Sequence, residues 1–200
     1  ADGTYGEEKL EFNADDIIWR KTDPDDGCAD YERVTDRKFR DPSAWMHILI
    51  AYDSSDGTAG DRMKMYINGV QETSFSGSIN PDSNEDSHVN TGSKTLYIGK
   101  FKGTGQPFDG YMAEVAFVDG VDHAVTDFGE FDEDSPTIWK PKDISSGITW
   151  GNNGFWLDFE DSSALGNDVS GNNNDFTATN LAAVDQCNDS PTNNFCTMNP

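Results

Sequence analysis

The strongest constraint on the fold is a hairpin signal in the first half of the chain. From Arg62 to Asn68 every second residue is apolar, which is the period of a half-buried β-strand. The dipeptide Asn68-Gly69 follows, and it favours a type I′ turn because that turn needs positive φ at both central residues. We therefore predict an antiparallel hairpin whose second strand runs from Val70 to Phe75, with one face of the first strand buried.

Similar short β-type runs recur along the chain, separated by clusters of Gly, Asn, Asp, Ser and Pro, and no stretch of a dozen residues has helical periodicity. The predicted strands are Lys9–Phe12, Ile17–Arg20, Tyr31–Phe39, Trp45–Tyr52, Thr95–Ile98, Tyr111–Val118 and Phe155–Phe159. Trp45–Tyr52 is apolar at nearly every position, so we predict a central strand with Trp45 in the core. Thr126–Gly129 is predicted to form one helical turn capped by Thr126. This pattern predicts an all-β, antiparallel β-sandwich.

The charge balance restricts the partners. The chain has 37 acidic and 14 basic residues, a formal net charge of −23. Such a field repels phosphate backbones and anionic lipid surfaces and attracts cations. No apolar run approaches the roughly 20 residues that span a bilayer. We therefore expect no nucleic-acid partner and no membrane insertion.

The three cysteines leave two alternatives open. Cys187 and Cys196 flank a short polar loop and are able to pair, which would leave Cys28 unpaired. Three free thiols are the equal alternative. The spacing of the cysteines and of the scattered histidines fits no zinc pattern.

Four motifs in order resemble those of laminin-G-like and pentraxin-like domains. They are Trp45-Met46-His47-Ile48 with Tyr52-Asp53, Met65-Tyr66-Ile67-Asn68-Gly69, Leu96-Tyr97-Ile98-Gly99, and Phe108-Asp109-Gly110-Tyr111-Met112-Ala113-Glu114-Val115. The resemblance covers roughly Phe39 to Asp119. It implies a concanavalin-like jelly roll and glycan binding without catalysis. The change after Glu130 to acidic, Pro-containing and then Gly/Asn/Asp/Ser-rich sequence predicts a loop-rich C-terminal extension.

Segments further along the chain resemble a continuation seen in large structural proteins of marine bacteriophages, especially tail-fibre-like and virion-surface proteins. These segments are Phe128–Phe131, Trp139–Lys142, Gly154–Phe159, Asp168–Asp175 and Asp189–Phe195. The resemblance implies a virion or extracellular location, host attachment, and either a cell-surface glycan or other virion subunits as partners. By analogy with phage fibres we expect a homo-oligomer, with a trimer as the leading form.

The predicted domain organisation has three parts. Residues 1–130 form the laminin-G-like sandwich, residues 131–154 a connector, and residues 155–200 an Asn/Asp-rich segment with one strand and loops. The family's opening strands are missing from the first part. We hypothesise that the last segment, or a neighbouring subunit, completes the sandwich by covering its open edge.

A tract rich in Asp and Asn predicts a calcium site. Calcium takes six to eight hard oxygen ligands from flexible loops. The candidate ligands are Asp158, Asp161, Asn167, Asp168, Ser170, Asn172, Asn174 and Asp175. The alternative is a loop rich in Asx turns, in which these side chains bond their own backbone. For a second acidic group, Asp23, Asp25, Asp26 and Asp30, a solvated loop is favoured over a cation site.

Aromatic side chains and one polar loop predict a glycan-binding site, because sugars stack on rings and are oriented by polar groups. The candidate platforms are Trp139, Trp150 and Trp156, with Trp19 as a further possibility; core packing is the alternative for each. The loop from Gly77 to Gly92 offers Asn84, Asp86 and His88 as polar partners. His47 is expected to be a structural histidine.

One segment resembles a catalytic strand. Glu130-Phe131-Asp132-Glu133 resembles the strand that carries the acid and nucleophile of laminarinase-type glucanases. Retaining hydrolysis needs both carboxylates on one face, and Glu133 falls on the opposite face from Glu130. We therefore expect no catalysis. A purely structural virion module and a glycan depolymerase are the alternatives to a lectin; a solvent-facing aromatic ring beside acidic residues indicates a lectin, and two carboxylates across a groove indicate the depolymerase.

Overall fold

The computed structural model describes residues 6–22, 29–41, 43–89, 94–101, 106–187 and 190–191. They form antiparallel strands and one short helix, in the order β1 (Glu7–Asn13), β2 (Asp16–Thr22), β3 (Ala29–Thr35), β4 (Ile48–Tyr52), β5 (Met63–Ile67), β6 (Val70–Glu72), β7 (Phe75–Ile79), β8 (Val115–Phe117), α1 (Val125–Phe128), β9 (Gly129–Phe131), β10 (Trp139–Pro141) and β11 (Phe155–Leu157). In this part of the chain no helix has the length and apolar character needed to span a bilayer.

Contacts divide the described residues into two compact units. Unit 1 takes those of Ala1–Ala44 and Ile48–Asp109, and unit 2 those of Trp45–His47 and Gly110–Pro200. The predicted organisation into residues 1–130, 131–154 and 155–200 stays a prediction. Cys28 and Cys196, together with Asp23, Asp25 and Asp26, lie outside the described residues, so the predicted cysteine pairing also stays a prediction.

The first sheet of unit 1 has the strand order β1-β2-β3-β7. The turn between β1 and β2 places Ala14 at φ 51° and Asp15 at φ 72°, which is the type I′ geometry that suits the twist of the strands. The predicted hairpin across Asn13–Asp16 is therefore confirmed. The side chains of Ile17, Trp19 and Tyr31 are at most 2% exposed and supply the core of this sheet.

The second sheet of unit 1 has the order β4-β5-β6. Met63, Met65 and Ile67 are at most 1% exposed, and Asn68 and Gly69 have φ values of 49° and 76°, so both parts of the hairpin prediction are confirmed. The predicted strand after the turn is divided, because β6 stays in this sheet whereas β7 pairs with β3. The chain thus crosses from one sheet to the other at Thr73-Ser74.

Aromatic rings fill the space between these two sheets. The ring centroid of Tyr52 from the second sheet lies 6.0 Å from that of Trp19 and 5.2 Å from that of Tyr31 in the first sheet. Each such ring removes a large area from water. The predicted all-β, antiparallel sandwich is confirmed, and its core lies within unit 1.

Unit 2 contains two short strand pairs, β8 with β11 and β9 with β10. Phe155 and Leu157 on β11 are 5% and 2% exposed. The Phe155 ring packs against those of Phe117 at 5.8 Å and Phe176 at 4.8 Å. The predicted strand at Phe155–Phe159 is present over its first half, and its partner is β8.

Several predicted strands were wrong in extent. Thr95–Ile98 forms no strand, and only Val115–Phe117 of Tyr111–Val118 is paired. The strand predicted at Trp45–Tyr52 begins at Ile48 and lies at an edge of its sheet, not in its centre. An apolar run shows that a segment is partly buried, but it does not show whether backbone or side chains of other elements cover it.

Two local expectations also need correction. Trp45 is only half-buried, so it is not a core residue. The helical turn begins after Ala124, whose amide donates to the carboxylate of Asp127 at 3.1 Å. Thr126 therefore does not cap this turn, because it lies within the helix and the residue at the cap position is Ala124, which has no side-chain oxygen.

Candidate functional site

Two of the predicted platform residues, Trp150 and Trp156, stack on each other in unit 2. Their ring centroids lie 6.1 Å apart with 10° between the ring planes. Both side chains are half-buried, so part of the aromatic pair is accessible to solvent. We call Trp150 and Trp156 the tryptophan pair. A flat apolar surface of this kind is suited to the CH face of a sugar ring.

The position of Trp156 is set on both edges of β11. On one edge Trp156 pairs in register with Ala116 of β8. On the other edge the Trp156 amide donates to the carboxylate of Asp168 at 2.8 Å, and the Trp156 carbonyl accepts from the amide of Val169 at 2.9 Å. The short strand is therefore held by a sheet partner and by the Asp/Asn-rich loop.

The Asp168 side chain is buried within that loop and accepts hydrogen bonds from its backbone. Its side chain is buried, with 6% exposed, and it also accepts the amides of Ser170 at 2.9 Å and Asn174 at 2.8 Å. Burial alone would raise the pKa of Asp168, but the hydrogen bonds from these amides and from Trp156 outweigh it, and the pKa lies below its ordinary value. The Asp168 amide in turn donates to Asp175 at 2.9 Å.

Two asparagines of the same loop fix the turn that carries Trp150. The side-chain amide of Asn172 donates to the carbonyls of Gly151 at 2.7 Å and Gly154 at 2.9 Å. That of Asn174 donates to Gly154 at 2.9 Å and to Asn152 at 3.2 Å. A Cβ at position 154 would lie 2.0 Å from the Trp150 carbonyl oxygen, so only glycine allows this approach. We call Asp168–Asp175 the clamp loop.

The remaining predicted calcium ligands are also engaged in local bonds. Asp158 accepts the amide of Glu160 at 3.1 Å, and Asp161 accepts the amide of Ser163 at 2.8 Å and its hydroxyl at 2.6 Å. Asn167 closes a turn through its amide, and the Ser170 hydroxyl accepts the amide of Asn172. This is the Asx-turn alternative.

The predicted ligands do not form a calcium cage. Within the described ranges, no group of three or more His, Cys, Asp or Glu side chains is placed to hold a metal ion. The oxygens of Asp168 that calcium would need already accept three backbone amides. The carboxylates of the tract are therefore engaged with the backbone in this structure, and calcium binding stays a prediction.

One carboxylate, that of Glu114, lies close to the Trp156 side chain. The Glu114 side chain is exposed as a whole, yet its pKa is raised, first by partial burial of the carboxyl and then by the negative charges of Asp158, Glu160 and Asp143. The nearby indole N–H of Trp156 lowers the same pKa, less than burial raises it but more than any one of these three carboxylates does. The local field is thus negative, which favours neutral or cationic ligands over anionic ones.

The other two predicted platforms are packed elsewhere. In unit 2, the Trp139 ring lies 5.0 Å from that of Phe131 and 5.8 Å from that of His47, and it covers Gly129 so closely that a Cβ there would lie 2.5 Å from the indole. Trp19 is 2% exposed in the core of unit 1. Trp139 is not brought together with the tryptophan pair, and the suggestion that Trp19 is a platform was wrong.

The predicted polar partners Asn84, Asp86 and His88 lie in unit 1, on a loop that is tied to the first sheet. Lys21 donates to the Glu85 carboxylate at 2.7 Å and to the Asp86 carbonyl at 3.1 Å. Glu8 accepts the amide of His88 at 2.7 Å. The amide of Asn84 donates to Ser54 at 2.9 Å. This loop and the tryptophan pair belong to different units.

The segment that resembles a glucanase strand holds its carboxylates in ion pairs. Lys140 lies 3.8 Å from Glu130 and 3.4 Å from Asp132, and Lys142 lies 3.6 Å from Glu130. Amides of Ser135 and Asp134 lower the pKa of Asp132. A general acid needs a raised pKa, so Asp132 is unsuited to that role.

The sequence reasoning missed Glu114 and the two glycines that admit the Trp150 turn. Glu114 was quoted only as part of a strand motif, and its closeness to Asp158 and Glu160 depends on tertiary structure. The glycines had a local signal: Gly151-Asn152-Asn153-Gly154 stands directly before the strand, and such a cluster indicates a tight turn.

Comparison with known proteins agrees with this architecture. Residues 3–123 match the laminin-G-type family model described as the concanavalin A-like lectin/glucanases superfamily. No curated protein and no solved structure matches the chain significantly. The matched residues cover more than half of the chain and contain both sheets of unit 1 and strand β8. The chain therefore belongs to the concanavalin A-like lectin/glucanases superfamily.

Proposed function

We propose that the protein is a non-catalytic carbohydrate-binding module that holds a sugar ring against the tryptophan pair. The observation that carries this proposal is the parallel stacking of two half-buried indoles. Core residues are covered on all sides, whereas Trp150 and Trp156 are only half-buried, and the Glu114 carboxylate lies close to the indole N–H of Trp156. An aromatic platform with polar groups at its rim is the arrangement that we expected of a lectin.

The clamp loop supports the proposal because it makes the platform rigid before a ligand arrives. A binding surface that is already ordered loses less conformational entropy on association. The carboxylate of Asp168 and the side-chain amides of Asn172 and Asn174 serve this purpose, bonding the backbone on both sides of the tryptophan pair. Family membership points in the same direction, since the superfamily includes lectins.

We extend the proposal to the biological setting. The module belongs to a bacteriophage virion protein, either a tail fibre or a decoration protein, and it binds a cell-surface glycan during host attachment. The support is the resemblance of the segments from Phe128 to Phe195 to marine phage structural proteins. Antibodies against this chain should label intact particles purified from the same source, and labelling of cell debris alone would contradict the virion setting.

The test of binding uses neutral oligosaccharides as probes. Tryptophan fluorescence of the whole chain is recorded while cellohexaose, laminarihexaose or chitohexaose is added. At least one probe should change the emission in a saturable way. Trp150→Ala and Trp156→Ala should each weaken binding by about tenfold, the loss expected when one ring stack is removed.

The matched control is Tyr111→Ala, which removes another aromatic side chain of unit 2 that is 67% exposed. It should leave the affinity unchanged. Equal affinity of the Trp156→Ala variant and the parent chain would overturn the assignment of the site.

A second function, glycan hydrolysis, is favoured by one observation. Glu114 has a raised pKa beside Asp158 and Glu160, and a raised pKa is what the general acid of a glycosidase requires. Release of reducing ends from any bound hexasaccharide, lost in Glu114→Gln, would replace the lectin proposal with this one.

A further inference from the structure

Unit 1 contains a cavity of about 330 Å³ at the place where the chain crosses from β6 to β7. Ser78 and Asn80 lie at its exposed rim. Arg33 and Met63 form its base, with 3% and 1% of their surface exposed. This volume is at the lower end of the roughly 300–1,000 Å³ of small-molecule pockets, so the cavity is suited to a ligand of about one sugar ring.

Arg33 is held at the base by neutral acceptors and by the ring of Phe75, whose centroid lies 5.5 Å from the guanidinium carbon. Its Nη1 donates to the carbonyls of Glu32 and Ile79, each at 3.0 Å. Its Nη2 donates to the Met63 carbonyl at 3.3 Å and to Asn80 Oδ1 at 2.7 Å. The guanidinium is therefore fixed in position, and one of its four acceptors is a side chain at the rim.

The charge of Arg33 has no carboxylate to balance it among the described residues. No ion pair found there includes Arg33, and burial is the sole cause that lowers its pKa. Buried charges in proteins are usually paired, because taking a charge out of water is costly. Arg33 is thus a buried charge without a paired carboxylate, and it faces a cavity.

A second cation and a carboxylate complete the cavity wall. Lys64 lines it and forms an ion pair with Asp61 at 3.6 Å. Glu72 also lines it, and its carboxylate accepts the amide of Ser74 at 3.4 Å. Lys64 therefore already has a carboxylate partner, whereas Arg33 has none at ion-pair distance among the described residues.

We propose that this cavity binds the carboxylate of an acidic monosaccharide such as a hexuronic acid. A carboxylate oxygen takes the place of the Asn80 amide oxygen on Arg33 Nη2 and restores the missing counter-charge, while Lys64 attracts the second oxygen. The half-buried side chain of Phe75 gives the sugar ring an apolar contact, and the Ser78 hydroxyl meets a ring hydroxyl. This site is separate from the tryptophan pair and does not depend on the function proposed there.

The experiment compares galacturonic acid with galactose, two ligands of one shape that differ in the carboxylate. Amide chemical shifts of the isotope-labelled whole chain are followed during each titration. Galacturonic acid should shift the amides of Asn80 and its neighbours in a saturable way. Galactose should shift them at least about fivefold more weakly, because the charge interaction is absent.

Two variants and one control test the geometry. Lys64→Glu should weaken galacturonic acid binding at least about fivefold. The matched control is the charge reversal Lys38→Glu, because Lys38 pairs with Asp16 at the surface of the same unit. This control should leave the affinity unchanged. Asn80→Asp places a carboxylate next to Arg33 and should both raise the melting temperature and abolish binding. Equal binding of the two sugars, or an Asn80→Asp variant that binds as well as the parent chain, would overturn the proposal.

Discussion

Replacement of Asp168 by alanine should free the clamp loop from strand β11 and disrupt the stacking of the tryptophan pair. Asp168 is 6% exposed and accepts three backbone amides, from Trp156, Ser170 and Asn174, at 2.8 to 2.9 Å. One of those amides belongs to the strand that carries the platform, and the other two belong to the loop. The substitution therefore removes the connection between loop and strand without altering either backbone.

The magnitude follows from these bonds. A hydrogen bond to a charged group contributes about 1.5 kcal/mol at the low end of its range, so three of them amount to about 4.5 kcal/mol. Solvent recovers part of this once the loop opens. We expect the free energy of unfolding to fall by about 3 kcal/mol, a large share of the roughly 5–15 kcal/mol that stabilises a domain.

The assay is urea unfolding, monitored in parallel by far-ultraviolet circular dichroism and by the near-ultraviolet signal of the stacked indoles. Asp168→Ala should lose the near-ultraviolet signal at a lower urea concentration than the parent chain. Asp161→Ala is the matched control, because Asp161 bonds only its own exposed turn through Ser163, and it should change neither transition. A near-ultraviolet spectrum of Asp168→Ala identical to that of the parent chain would refute the clamp.

The hydrogen bonds to Asp168 also determine how the stability of the folded chain depends on pH. The pKa of Asp168 is lower in the folded chain than its ordinary value, so its contribution is complete above the ordinary pKa of about 3.9 and is lost as pH falls through the folded value. The stability difference between the parent chain and Asp168→Asn should therefore shrink below about pH 4. A difference that grows on acidification would contradict the assignment.

Gly154→Ala should lower the melting temperature and disturb the near-ultraviolet indole signal, because its Cβ would lie 2.0 Å from the Trp150 carbonyl oxygen. The control Gly57→Ala meets no atom within 4 Å and should leave the melting temperature unchanged. Lys21→Met should lower the free energy of unfolding in urea by about 2 kcal/mol, since it leaves the Glu85 carboxylate without its cation. Faster hydrogen exchange of the Glu85 and Asp86 amides would show that the destabilisation is local to this loop. Burial acts to lower the pKa of Lys21, but Glu85 and Asp30 outweigh it and the pKa is raised. The contribution of Lys21 is thus complete below the ordinary lysine pKa and is lost as pH rises through the folded value, so a penalty for Lys21→Met that persists unchanged at high pH would argue against the ion pair.

The parts of the fold that the sequence predicted correctly are those fixed by local chemistry. The alternation of Met63, Met65 and Ile67 and the Asn68-Gly69 turn specify a hairpin through side-chain period and backbone conformation alone. The parts that were wrong depend on distant partners. Nothing local shows that β4 lies at a sheet edge or that the strand after Gly69 divides between two sheets.

In the candidate site, too, the residues could be predicted from the sequence but their spatial arrangement could not. The sequence identified Trp150, Trp156 and the Asp/Asn tract, but it placed them in two different sites, a glycan platform and a calcium loop. The structure shows one arrangement, in which Asp168, Asn172 and Asn174 hold the backbone around the tryptophan pair. Carboxylates that bind calcium and carboxylates that bond backbone amides have the same residue types and spacing, so only coordinates distinguish them.

The pairing of β8 with β11 has a practical consequence for anyone who wishes to express the lectin-like part alone. A fragment cut at residue 123, where the family match ends, keeps β8 but discards the strand bonded to it through Leu157 and Phe155. Its exposed edge would invite association between molecules. The shortest fragment that keeps both this pair and its loop anchor extends through Phe176, which packs on Phe155, so the physical boundary of the module lies some fifty residues beyond the boundary of the sequence family.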